Sequence, residues 1–427
     1  MAPTGTPSSK MQNRNCKTVD SIWESCDIKR QSRQMKPVKF LLLTILGGFA
    51  LPFSFAQTWT QTKAPSENWF SVASSADGTK LIAPCQFGSL FTSTNSGATW
   101  QTNTFFDCYL AALSGDGTRL IVTAGFQVYI STNGGAIWFS NSVSEDIAGI
   151  ASSANGMELV AVNRSGNGGQ IFTSTNGGMT WLTNSLAGRN WTSVASSADG
   201  TRLIATANTV SVGAGIYTST NSGLTWVSNA VPVRAPDWGC AASSADGVRL
   251  AAGIGGNGGA IFTSTNSGGS WISNAIPRMV WNSLACSAVG RKLIAASSTS
   301  ECIYTSADGG TTWASNSVPN VPWRSVASSA DGNSLVAVGA NFNQTYASKI
   351  YMSQTAPAPF MSSEYSNGGL ALAWILPSTN FVLQSSADLS AWTDVTNQPV
   401  LNLSNLQNEV SLPVSSSNAF FRLSASP

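Results

Sequence analysis

"SVASSADGTKLIA" (71–83) decides how the chain is read, because the chain keeps returning to it. Close copies are "SVASSADGTRLIA" (193–205), "AASSADGVRLAA" (241–252) and "SVASSADGNSLVA" (325–337). Looser copies are "AALSGDGTRLIV" (111–122), "GIASSANGMELVA" (149–161) and "SLACSAVGRKLIA" (283–295). The turn position falls at Asp77, Asp116, Asn155, Asp199, Asp246, Val289 and Asp331, at intervals of 39, 39, 44, 47, 43 and 42 residues. That period fits one four-stranded blade per repeat. The alternating apolar run before the Asx-Gly step predicts an inner strand, and the step itself supplies the positive φ of a tight hairpin.

A second landmark follows each copy except the last: "STNSGATW" (93–100), "STNGGAIW" (131–138), "STNGGMTW" (174–181), "STNSGLTW" (219–226), "STNSGGSW" (264–271) and "SADGGTTW" (306–313). The seventh repeat ends at "SKIYMSQ" (348–354) and runs into "TAPAPF" (355–360) with neither the glycine nor the tryptophan of that turn. Its missing fourth strand is found near the other end of the repeat region, where "TWTQT" (58–62) matches "TWQTN" (99–103). The reading is an all-β protein: a seven-bladed β-propeller over 57–354, closed by its N-terminal strand, which leaves no open junction between first and last blades. A linker (355–360) and a small C-terminal β-sandwich (361–427) follow, the latter from "LALAWIL" (370–376), "NFVLQSSADLSAWTDV" (380–395), "NEVSLPV" (408–414) and "AFFRLSA" (419–425).

The eight-residue turn resembles the Asp-box, or BNR repeat, written S/T-x-D-x-G-x-T-W, found in sialidases, xyloglucan hydrolases, sortilin-type receptors and photosystem II assembly and stability factors. The resemblance spans about 57–354 and implies a sialidase-like propeller. It departs from the pattern at Asn95, Asn133, Asn176, Asn221 and Asn266, where only Asp308 keeps the acid. An Asn carbonyl can still accept the backbone N–H groups of the turn. The boxes therefore read as structural, with Trp100, Trp138, Trp181, Trp226, Trp271 and Trp313 buried between sheets. The segment from Phe381 to Leu423 resembles a terminal module of secreted bacterial repeat proteins.

"MKPVKFLLLTILGGFALPFSFAQ" (35–57) joins two lysines to an apolar run shorter than a membrane span and to small residues Ser54 and Ala56, the pattern of a cleavable signal peptide over 35–56. Residues 1–34 read as an upstream, disordered extension, with Met35 as an alternative start to Met1. A secreted, cell-surface or periplasmic protein, monomeric and with no membrane span after cleavage, is expected. Residues 1–56 hold eight of the 22 Lys/Arg and three of the 20 Asp/Glu, so the remainder carries 14 positive and 17 negative side chains, and the net +2 of the full chain belongs to its leader. Nothing there resembles a nucleic-acid footprint. Five cysteines follow the leader without metal-ligand spacing, and they read as buried thiols, with a Cys286–Cys302 bridge as the alternative.

The chain has no histidine, which excludes Ser-His-Asp and Cys-His catalysis and most transition-metal sites. No metal, cofactor or catalytic set is assigned. A sialidase would carry an arginine triad, an Arg-Ile-Pro signature and a Tyr/Glu pair; the signature is absent. Binding candidates lie on the face made by the loops between blades. Trp191, Trp238, Trp281 and Trp323, with Trp69, open inner strands, and Arg189, Arg234, Arg278 and Arg324 lie beside several of them. They read either as stacking platforms with guanidinium donors for a glycan or protein ligand, or as blade packing. The acids Asp107 and Asp237 precede inner strands in blades two and five, nearly opposite each other. Three functions stay open: a non-enzymatic binding or scaffolding propeller, a glycoside hydrolase or lyase of unrecognised type, and an assembly factor for a protein complex.

Overall fold

The computed structural model describes residues 57–427 apart from 87, 104–107, 144–145, 165–167, 185, 187, 209–213, 234–236, 257, 340–347, 355–360, 367–368, 376–380, 388–390, 398, 404–405, 414–418 and 426–427. The signal peptide, the upstream extension and the linker lie outside the described residues.

Seven four-stranded antiparallel sheets follow one another along the chain, each ordered from inner to outer strand. Blade 4 is representative: Trp191–Ser196, Leu203–Ala207, Gly215–Ser219 and Val227–Ser228. Blade 7 takes three strands from its own repeat, Trp323–Ser328, Ser334–Gly339 and Ile350–Gln354, and its fourth, Thr60–Gln61, from the N-terminal side. Thr60 pairs with Met352 and Gln61 with Tyr351, and the Thr62 N–H donates to Ile350 O at 2.9 Å. The protein is therefore a closed seven-bladed β-propeller.

Closure is visible at the axis as well. Just before each Asx-Gly turn, one backbone N–H reaches the carbonyl of the next blade. Ala76 donates to Gly115, Gly115 to Ala154, Ala154 to Ala198, Ala198 to Ala245, Ala245 to Ala288, Ala288 to Ala330, and Ala330 back to Ala76, all at 2.7–2.8 Å. A cycle of seven such bonds admits no other blade count. The turns beneath it are alike. In blade 4 the Ser197 hydroxyl donates to Asp199 at 2.5 Å and accepts the Arg202 N–H, while the Thr201 N–H caps the same carboxylate. Blade 6 has Val289 in place of the acid, yet Gly290 keeps φ at +64° and Ser287 still accepts the Lys292 N–H.

Apolar burial is concentrated between blades rather than in one core. Each of seven clusters joins facing sheets, as Trp191, Leu203 and Ala205 of blade 4 do with Val160, Val162 and Ile171 of blade 3. Every cluster also takes one indole from the rim. Trp138 packs at the first junction, Trp181 at the second, Trp226 at the third, Trp271 at the fourth, Trp313 at the fifth and Trp100 between blades 7 and 1. The junction between blades 6 and 7 has no box of its own, and there Trp59 fills the slot.

The six box turns share one hydrogen-bond pattern. Oδ1 of Asn95, Asn133, Asn176, Asn221, Asn266 or Asp308 accepts the N–H four residues on at 2.9 Å. Two successive residues at each tip have positive φ, which favours glycine; Ser96, Ser222 and Ser267 adopt it as well. The Asn and Asp versions differ in one bond. Asn95 Nδ2 donates to the Thr99 hydroxyl at 2.8 Å, whereas the Thr312 hydroxyl donates to Asp308 at 2.7 Å. The hydroxyl reverses its role, and the turn accepts either residue.

This makes a pH prediction. Burial pushes the Asp308 carboxyl up, but the Thr312 N–H and hydroxyl and the Ser306 hydroxyl outweigh it and hold it below its ordinary value. A group whose folded pKa is depressed stabilises the fold above its unfolded pKa and stops doing so as pH falls through the folded value. Asp308→Asn should match the natural protein at neutral pH and lose stability less steeply in acid, read by thermal unfolding between about pH 6 and pH 3. An unchanged acid slope would count against the carboxylate's role.

The C-terminal module is a two-sheet sandwich. Met361–Ser366, Gly369–Ile375, Gln407–Pro413 and Val400–Asn402 form one sheet, and Thr393–Asp394, Phe381–Ser386 and Phe420–Ala425 the other. Leu370, Leu372, Trp374, Leu383, Val410 and Phe421 pack between them. Cys286 and Cys302 are both free thiols, so the Cys286–Cys302 bridge is not formed.

Candidate functional site at the loop-face mouth

Inner strands open with a residue buried between blades and then break register. The pairing shifts between Trp191 and Ser193, Trp238 and Cys240, Trp281 and Ser283, and Trp323 and Ser325. A bulge re-aims the extra residue, and these are Thr192, Gly239, Asn282 and Arg324. Trp69, Trp191, Trp281 and Trp323 are wholly buried and Trp238 is 1% exposed. Each meets a third-strand aromatic edge-on: Phe91, Tyr217, Phe262, Tyr304 or Tyr351, with centroids 5.1–5.9 Å apart. Indole N–H groups of Trp191, Trp281 and Trp323 donate to the backbone carbonyls of Gly169, Gly259 and Glu301. Of the two readings the sequence left open for these tryptophans, their burial fits blade packing.

The residue after the tryptophan carries the chemistry instead. Arg324 of blade 7 places its guanidinium 4.6 Å from the ring centre of Phe70 in blade 1, and Phe70 meets Tyr109 of blade 2 edge-on at 5.3 Å. Three consecutive blades thus contribute one cation and two rings to one mouth. Burial, and then the like charge of Arg164, pull the Arg324 pKa below its ordinary value. Arg164 belongs to the loop after the second strand of blade 3, where its N–H donates to Asp146 O at 3.0 Å.

Of the four arginines singled out from sequence, Arg189, Arg278 and Arg324 are described, each in its own surroundings. Arg189 stacks on Tyr217 at 4.8 Å, within blade 4. Arg278 is exposed, and Arg234 and Asp107 lie outside the described residues. Asp237 is exposed, its carbonyl accepting the Gly255 N–H at 2.6 Å. Sequence reasoning passed over Phe70, Tyr109 and Arg164. The signal for the first two was their position: each directly follows the strand-opening Trp69 or Cys108, as Arg324 follows Trp323. Among the described residues no group of three or more Cys, Asp or Glu side chains comes together in a way that could hold a metal ion.

No protein-family model matches the chain, and no curated protein sequence matches it. Its likeness is to solved propellers. YCF48 bound to D1 peptide aligns at a TM-score of 0.52 and 16% identity, covering 71% of this chain and 98% of that one. The GH74 xyloglucanase from Xanthomonas campestris aligns at 0.53 and 16%, covering 75% and 59%. The RRP9 WD40 repeats align at 0.54 and 10%, covering 70% and 99%. At these identities the likeness establishes the β-propeller fold and leaves function to the site itself.

Proposed function

We propose that this chain is a secreted, non-enzymatic Asp-box propeller that binds an acidic segment of a protein partner at the loop-face mouth. The observation that carries the reading is the Arg324–Phe70–Tyr109 sector, with the Arg164 charge beside it. A half-buried guanidinium offers a carboxylate a charge-assisted, bidentate contact, and the two rings offer an apolar wall to the neighbouring side chain. YCF48, which shares the fold, is a propeller seen with a peptide bound. The leader pattern over 35–56 is what supports export.

The test is titration of the 57–427 chain with a panel of acidic, neutral and basic peptides and neutral glycans. Acidic peptides should bind, more weakly as salt rises, and Arg324→Glu should lower their affinity by about tenfold or more, the effect of reversing a partly desolvated charge. Equal affinity in Arg324→Glu, or binding confined to neutral glycans, would refute the reading.

A further inference from the structure

The opposite face of the ring carries a socket with an occupant. The hydrogen-bonded cycle at the axis is built from Ala76, Ala154, Ala198, Ala245, Ala288 and Ala330, six methyl-bearing residues, with Gly115 as the exception. One step out, the corresponding residues are Ser74, Ser152, Ser196, Ser243, Cys286 and Ser328, and blade 2 is again the exception with Leu113. Blade 2 departs at both positions, each time in a way that suits an apolar guest, and blade 6 departs at one, with Cys286. The guest is Leu406 of the C-terminal module, which packs against the cluster of Ala76, Ala288 and Ala330 and lines the same axial chamber of about 150 Å³ as Leu113, Gly115 and Cys286. A Cβ added at Gly115 would stand 2.9 Å from Leu406 Cδ2. Leu406 sits at a turn tip with φ +57° and its N–H on Asn402 O at 2.8 Å, an uncommon conformation for a non-glycine residue.

We infer that the C-terminal module is a built-in stopper: Leu406 docks into the axial mouth of its own propeller through the gap that Gly115 leaves in the alanine collar. Six alanines make the opening apolar, and the missing seventh methyl makes it asymmetric, so the guest enters against blade 2 in one orientation. With Leu406 standing in the axial mouth at this end, the loop face is the approach left to a partner. The inference concerns the opposite face and does not depend on the identity of the loop-face ligand.

A thiol already in place reports on the docking. Cys286 lines the chamber, its Sγ donating to Ser243 O at 3.0 Å, and packs from that side against the cluster between blades 5 and 6 in which Cys240 is buried. The 57–427 chain is treated with N-ethylmaleimide at mildly alkaline pH and the modified cysteines are identified by peptide mass mapping, beside the radius of gyration from small-angle X-ray scattering. Leu406→Asp and Gly115→Leu are compared with the natural chain. Gly115→Leu fills the socket without touching the module's own core, and its backbone lies outside the left-handed region. Both variants should modify Cys286 about tenfold faster or more, with Cys240 still protected, and should show a larger radius. Unchanged Cys286 rates in both variants, joint acceleration of Cys240 and Cys286, or a dimer exchanging modules between two copies would each overturn the proposal.

Discussion

Deleting residues 57–62 is expected to lower the thermal midpoint by on the order of 8 °C and to promote association into larger species. Two losses combine. Trp59 vacates the slot between blades 6 and 7 that a box tryptophan fills at every other junction, and Ile350–Gln354 becomes an unpaired edge. Truncating a packed indole alone costs about 3 kcal/mol. The Gln57 N–H also loses its bond to Asn316 Oδ1 at 2.8 Å. Calorimetry and light scattering on the 57–427 and 63–427 chains measure both effects. Equal midpoints and two monomers would mean that the ring holds together without its N-terminal strand.

Trp191→Ala has the second largest expected effect, and it separates packing from binding. The indole is wholly buried among Val160, Val162, Ile171 and Tyr217, so its removal leaves a cavity between blades 3 and 4. A loss of about 3–5 kcal/mol follows, seen in denaturant unfolding. Affinity for an acidic peptide, measured where the variant is still folded, should change little, because Arg324, Phe70 and Tyr109 belong to blades 7, 1 and 2. A variant of natural stability that had lost its ligand would restore the tryptophan to the binding site.

The architecture was legible because turn chemistry is local. An Asx-Gly step and the Asx-x-Gly of the box each form their hydrogen bonds within a few residues, so every repeat announces its own turns, and the seven starts count the blades. The replacement of Asp by Asn was readable for the same reason, since the accepting oxygen is common to both. Ring closure was readable from an absence, the missing turn after Gln354, matched by a surplus strand at Thr60–Gln61.

The site was less legible because its residues are brought together by geometry that strand periodicity hides. Period-two alternation says that Trp323 and Arg324 point to opposite sides. It does not say that a bulge after Trp323 re-aims Arg324, nor that blades 7 and 1 become neighbours so that Arg324 covers Phe70. Repetition left two readings open: five tryptophans at one position could be platforms or blade packing, and a residue that recurs in most blades meets the same neighbours in each, here a third-strand aromatic. The departures from repetition, Arg324 on one face and Leu113 with Gly115 on the other, are where the blades stop being equivalent.

The central claim is that the strand at Thr60–Gln61 completes blade 7. Hydrogen exchange of the 57–427 chain, followed by mass spectrometry on the peptide covering 57–63, tests it most directly. Slow exchange of the Thr62 amide, on the timescale of the 350–354 strand it pairs with, is the predicted result. Exchange at the rate of an unstructured chain while 350–354 stays protected would contradict it.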